Sequence, residues 1–341
     1  MINRGVTRCL IAAVLFGVSA PAASRLVDDL GAFTLAGLLY IGAALAVLPM
    51  TGGTLPTGLA LRRSGRGLAI AVVFGGAIGP VLLAAGLAYT SAASASLLLN
   101  LELVATTVLA YFFFHEHIGS RVAAGTVLVV LAGVLLGWSG NADLRLGAVL
   151  IAGACLCWGL DNCITAQLDD LAPAHITLAK GVVAGTANLT IGLLRGDVPG
   201  GWPVLAALVV GAFGYGISIT LWVAGARELG AARGQLVFAA APFVGAIVSW
   251  TVLSEAVTGR ELAALALGVV GVGLVLRSDH EHIHRHEAVE HDHEHQHGDE
   301  HHDHEHSGEG GLGTRHQHHH VHDRRVHAHP HMPDLHHRHD H

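Results

Sequence analysis

Long apolar runs separated by short polar connections organise most of this chain. Runs of about 20 residues, the length that crosses a ~30 Å hydrocarbon core as a helix, fall at 7–26, 31–50, 67–89, 92–113, 121–138, 146–166, 174–194, 203–225, 231–253 and 259–276. The pattern therefore predicts ten spans. No stretch sustains the apolar/polar alternation of a strand, and in lipid only helices or closed barrels satisfy every backbone group, so the expected body is all-α. From residue 277 the apolar pattern stops, and His alternating with Asp, Glu and Arg takes its place. That composition cannot bury a core, and the tail is expected to be disordered without a ligand.

Composition agrees with a membrane body: 52% of residues are hydrophobic and 13% charged, against about 25% charged in soluble domains. Charge separates the two regions. Residues 1–276 carry 13 basic and 12 acidic side chains, whereas 277–341 carry 6 and 14. Arginine also sets an orientation. With the N-terminus inside, Arg4, Arg8, Arg62, Arg63, Arg66, Arg121, Arg227, Arg233 and Arg277 fall on the inner side, and Arg25, Arg145, Arg195 and Arg260 on the outer. This excess predicts that both termini are cytoplasmic. Cys9, Cys155, Cys157 and Cys163 all lie in apolar runs and read as free thiols, with one or two of them open as ligands.

The two halves correspond. "FFFHEHIGSRVAAGTVLVVLAGVLLG" aligns with "WTVLSEAVTGRELAALALGVVGVGLVL", placing Glu116 against Glu255, and "LFGVSAPAASRLVDDL" aligns with "CWGLDNCITAQLDDL". Five spans per copy is an odd number, so the second copy is expected to be inverted, a carrier design with its site near the midplane. The first run has the small residues of a cleavable signal peptide, but its correspondence to the sixth span makes it a retained helix.

The stretch "GLAYTSAASASLLLNLELVATTVLAYFFFHEHIGSRVAAGTVLVVLAGVLLGW" resembles the EamA-type half of the drug/metabolite transporter superfamily in three features. These are a fourth span of small residues, Glu116 at its end and the Gly125 to Gly133 spacing that follows. The resemblance runs over residues 7–276 and implies ten helices, EamA repeats at 7–138 and 146–276, and a secondary carrier in the cytoplasmic membrane. The family's frequent proline in the fourth helix is Leu103 here, while the second copy keeps Pro242. "WGLDN", "LAKGVVAG" and the His-rich tail at 277–341 together resemble one prokaryotic subgroup.

Ionisable groups inside spans are costly and mark function by default. Glu102, Asp161 and Lys180 sit well inside, and Lys180 is the chain's only lysine. Counted at ~1.5 Å per residue, Asp161 and Lys180 lie at similar depth from the inner side and can pair, while Glu102 is near the midplane. A structural ion pair and a pair that opens during transport, with Lys180 taking an anionic group or Asp161 a proton, both remain open. Glu102 is a candidate proton or cation relay, the alternative being a protonated carboxyl hydrogen-bonded to a neighbouring helix. Asn100, Asn162 and Asn188 add hydrogen-bonding capacity, making a polar cluster between the fourth, sixth and seventh spans feasible. Trp158 reads as packing ahead of a stacking platform. The small residues of "GGAIG" and "GVVAG" predict close helix approach, and Pro21, Pro80 and Pro242 predict bends.

The tail holds 24 of 27 histidines. Imidazole ligates Zn, Ni, Co and Cu. The candidate ligands are His291, His293, His295, His297, His301, His302, His304, His306, His318, His319, His320, His336, His337, His339 and His341. Such binding weakens as pH falls through roughly 6.5. Three readings follow: a carrier exporting divalent metal captured by the tail, a metabolite or drug exporter with a metal-responsive tail, and a membrane metal buffer that transports nothing. No required cofactor, nucleic-acid partner or enzymatic activity is expected, since no Gly-rich ATP loop or nucleophile–base constellation is present. The expected partners are the lipid bilayer and a small solute or metal ion, and a homodimer is open.

Overall fold

A computed structural model describes residues 4–54, 56–114, 119–138, 142–165, 168, 170–229 and 237–276 of the body, with 280–286, 289–296, 315–322 and 325–331 of the tail. Among them the body is helical. Eight helices are long and apolar enough to cross a bilayer: α1 Arg4–Ser24, α2 Ala32–Thr51, α3 Gly58–Leu87, α4 Ala92–Phe113, α5 Ser120–Gly137, α6 Ala142–Thr165, α7 Pro173–Leu194 and α8 Gly201–Gly225. Two more follow, α9 Ala241–Thr251 and α10 Gly259–Leu276. The expected ninth span, 231–253, is thus helical from Ala241 over 11 residues, with Pro242 in its first turn; residues 231–236 lie outside the described ones.

Several helices are not uniform. In α4 the ladder breaks between Leu98 and Leu101, and Asn100 Nδ2 donates to the Leu97 carbonyl at 3.0 Å across the break. Three segments have wide i→i+5 turns, Ala71–Ile78 in α3, Lys180–Ala184 in α7 and Gly211–Ile217 in α8. Turns of this kind are rare and concentrate at functional sites.

Packing joins helices from opposite ends of the chain. α1 lies against α8 and α9, α6 against α3 and α4, α2 against α7, and α5 against α10. Glycine makes the α2–α7 contact close. A Cβ on Gly181 would stand 2.6 Å from the Tyr40 carbonyl oxygen, and one on Gly185 3.0 Å from the Ile41 nitrogen. Small residues let backbones meet where lipid supplies no hydrophobic drive between helices. Six exposed aromatics sit near helix ends, with Tyr89, Trp138 and Trp202 toward one side and Tyr111, Phe112 and Phe113 toward the other. That arrangement matches the interfacial belts of a bilayer.

The tail forms a unit of its own over Asp279–Met332. Strand β1 His280–His286 pairs antiparallel with β4 Arg325–His331, and β2 Val289–Gln296 with β3 Arg315–His322. Their His-x-His alternation has a period of two, which an extended strand accepts.

Candidate functional site

A cavity of about 70 Å³ lies among α1, α2, α4, α6, α7 and α8, toward the end where α6 and α8 finish. Its polar wall comes from three helices. Lys180 of α7 reaches Asp161 of α6 with Nζ 2.7 Å from Oδ1 and 2.6 Å from Oδ2, both side chains being over 90% buried. Thr165, one turn along α6, donates to Asp161 Oδ1 at 3.0 Å. Asn162 Nδ2 donates to Glu102 Oε1 at 2.7 Å, tying α6 to α4.

Asp161 is held by the wide turn of α3. A Cβ on Gly75 would fall 2.1 Å from Asp161 Oδ2, so only glycine lets the carboxylate rest there. The Gly75 carbonyl accepts from Tyr40 Oη at 2.6 Å and from Trp158 Nε1 at 3.1 Å. One backbone oxygen in an i→i+5 turn thus anchors side chains from α2 and α6 beside the ion pair.

The opposite wall is aromatic. Phe16 of α1 stands at its centre, 5.8 Å from the Tyr215 ring, 5.3 Å from Phe238 and 6.2 Å from Trp158. Tyr40 lies 5.6 Å from Tyr215, and Trp222 5.9 Å from Phe238. The Trp222 indole nitrogen is buried and has no hydrogen-bond partner among the described residues. A buried donor without an acceptor costs free energy until something supplies one.

The structure brings Glu102, Asp161, Asn162 and Lys180 together at the cavity, and separates the other two asparagines from it. Asn188 donates to the Ala77 carbonyl at 3.1 Å and braces α7 on α3. Asn100, bonded within α4, lines a smaller void of about 20 Å³ behind Glu102. Trp158 both packs and lines the cavity. The aromatic wall was not anticipated, although Tyr40 and Tyr215, placed mid-span and away from the interface where tyrosine gathers, were a readable signal.

No group of three or more His, Cys, Asp or Glu converges as a metal site among the described residues. The four cysteines are buried and form no disulfide. Cys155 lies with its sulfur 3.7 Å from the Leu98 carbonyl and Cys163 3.8 Å from that of Thr106. His175 bonds the Thr54 carbonyl at 2.9 Å. In the tail, strand register sets His291, His293 and His295 opposite His320, His318 and His316, and His319 opposite Asp292. His297, His301, His302, His304, His306, His336, His337, His339 and His341 lie outside the described residues, as do Glu116, His115 and His117.

The far end of the bundle is closed by carboxylates. Glu255 accepts from the backbone nitrogens of Ala92 and Ala93 at 3.0 and 2.9 Å, capping the start of α4. Glu261 accepts from Ser91 and Ser94 hydroxyls at 3.0 and 2.9 Å and closes a capping box with Thr258. Thr34 donates to Asp197 at 2.5 Å.

Residues 3–138 and 145–277 each match the profile of the EamA-like transporter family. The chain belongs to that family. This EamA-like protein is 27% identical over 294 residues to an uncharacterized transporter of Methanothermobacter thermautotrophicus, an alignment covering 79% of this chain and 83% of that protein. A solved crystal structure, 19% identical, superposes with a TM-score of 0.57 over 80% of this chain and 98% of its own, a likeness of fold. Family and helices together make it a multi-pass integral membrane protein.

Proposed function

We propose that this EamA-like protein is a secondary carrier whose cavity takes a small organic solute with an apolar body and a polar or ionisable end. The observation that carries this reading is the two-sided lining: a carboxylate, an amide and an ion pair face an aromatic wall, inside a bundle closed at one end. Small-molecule sites are mostly apolar with a few placed polar groups. Lys180 offers a charge to an anionic group once Asp161 releases it, Glu102 is the candidate relay for a proton, and the Trp222 N–H awaits an acceptor.

The carrier is read as ten helices in two inverted repeats in the cytoplasmic membrane, with both termini inside. Two family matches of similar length and the matched pairings of α1 with α8 and α9 and of α6 with α3 and α4 support this arrangement. The His-rich tail is read as a divalent-metal binder that regulates or supplies the carrier. Metal export is the second reading, favoured by two carboxylates, Glu102 and Asp161, on one cavity.

Proteoliposome flux separates the two. Organic-solute counterflow that persists when the tail is removed is the expected result, with Zn, Ni and Co flux absent from both forms. Metal flux without organic-solute exchange overturns the reading. Glu102→Gln is expected to abolish coupled flux while leaving the fold intact, and unchanged flux removes Glu102 from the mechanism.

A further inference from the structure

The start of α3 carries a basic face that lies apart from the cavity. Arg62, Arg63 and Arg66 are all exposed. Among the described residues none of them has a carboxylate partner. At 100° per residue they share an arc of about 100° with Leu59, which is 61% exposed, and Val73, 46% exposed, follows within the wide turn. The opposite face carries the packing. Ser64 and Ala71 are buried, Ala60 and Leu68 pack on the Leu168, Leu171 and Ile176 cluster, and a Cβ on Gly67 would meet Leu168 at 2.8 Å. The arginines therefore continue the bilayer-facing stripe of the helix.

Helix length fixes their depth. α3 has 30 residues, about 45 Å at ~1.5 Å each, against a hydrocarbon core of ~30 Å. Tyr89, 41% exposed just beyond the far end, marks that boundary; about 20 residues back from it the core ends near residue 69. Arg66, Arg63 and Arg62 follow within two turns, at the level of the phosphates. Guanidinium forks at that depth match phosphate geometry and stay charged.

We propose that Arg62, Arg63 and Arg66 form a binding face for the headgroup of an anionic phospholipid, with Val73 against its chains. The surface chemistry stands apart from the carrier reading; only the naming of the leaflet, the cytoplasmic one, rests on the proposed orientation. Basic side chains near an anionic surface each contribute roughly fivefold in binding.

The test is spin-label lipid association with the full-length protein in phosphatidylcholine membranes, comparing labelled phosphatidylglycerol with labelled phosphatidylcholine. Wild-type protein is expected to prefer phosphatidylglycerol, and the R62Q/R63Q/R66Q variant to lose roughly tenfold or more of that preference. The charge-keeping variant R62K/R63K/R66K is expected to retain most of it, which separates loss of charge from loss of fold. A preference unchanged in the glutamine variant overturns the proposal. So does competition by millimolar inorganic phosphate at constant ionic strength, which would make the face a site for free phosphate.

Discussion

Helix α6 and helix α1 carry corresponding sequences, yet they furnish opposite walls of the cavity. Trp158 and Gly159 in α6 stand where Phe16 and Gly17 stand in α1, and Asp161 where Ser19 stands. The backbone packing is alike. A Cβ on Gly159 would strike Ala105 and Thr106 of α4, and one on Gly17 would strike Ala241 and Val244 of α9. Gly75 in the wide turn of α3 lies on Asp161, and Gly214 in the wide turn of α8 lies on Ser19. The side chains differ: α6 with its neighbours holds a carboxylate, a lysine and a glutamate, while α1 with its neighbours holds rings and a serine hydroxyl turned back to its own helix. The two helices keep matching backbone contacts, while the ionisable groups gather around α6 alone.

The largest effect is expected where that asymmetry is electrostatic. Lys180→Met leaves Asp161 buried without its cation, and removing one partner of a buried pair costs about 3–5 kcal/mol. Unfolding of the purified variant in detergent should show that loss. The double variant Asp161→Asn with Lys180→Met should recover most of the stability, because no lone charge remains. Solute flux distinguishes the two readings of the pair: a stable double variant that still transports makes the pair structural, and one that does not makes it part of the transport step.

How much of this was readable beforehand follows from what each feature depends on. The spans depend on local hydrophobicity, and among the described residues eight of the expected ten are helices of full crossing length. The Asp161–Lys180 contact depends on depth, which counting residues from helix ends supplies. The Glu102–Asn162 bond depends on how α4 and α6 are rotated about their axes, which apolar runs with little periodicity do not specify. The aromatic wall was hidden because Phe16, Trp222 and Phe238 read as ordinary span residues until α1 and α8 are brought together. The wide turns follow from packing: the glycines at 75, 181 and 214 were visible, but the extra residue per turn was not.

A smaller effect tests the glycine contacts. Gly75→Ala places a methyl 2.1 Å from Asp161 Oδ2, whereas Gly214→Ala meets the Ser19 Cβ at 2.6 Å. Overpacking of this sort costs about 1–3 kcal/mol. In the α8 copy that cost should be nearly all there is to see. In the α3 copy the methyl also pushes the carboxylate off Lys180, so Gly75→Ala should lose flux as well as stability. In a background of Asp161→Ala with Lys180→Met, which leaves no lone charge, Gly75→Ala should cost much less, since sites in contact are not additive. Equal flux in the two glycine variants would remove Gly75 from the positioning of Asp161.

The smallest effect belongs to Ser19, the position that corresponds to Asp161. Its hydroxyl donates to the Phe16 carbonyl at 2.6 Å, three residues back in the same helix. That carbonyl already lies within a helical ladder, and the serine is 3% exposed. Ser19→Ala removes one hydrogen bond and leaves no buried charge, so its cost should be about 1 kcal/mol or less, and flux should be unchanged. Ser19→Asp is the informative opposite. It rebuilds the α6 carboxylate in α1, but no second lysine exists to meet it, since Lys180 is the only one in the chain. A buried carboxylate without a cation is destabilising, so the two substitutions at this one position should differ by several kcal/mol. If Ser19→Asp were instead as stable as Ser19→Ala, the α1 wall would tolerate charge, and the confinement of ionisable groups to α4, α6 and α7 would not come from the electrostatics of the cavity.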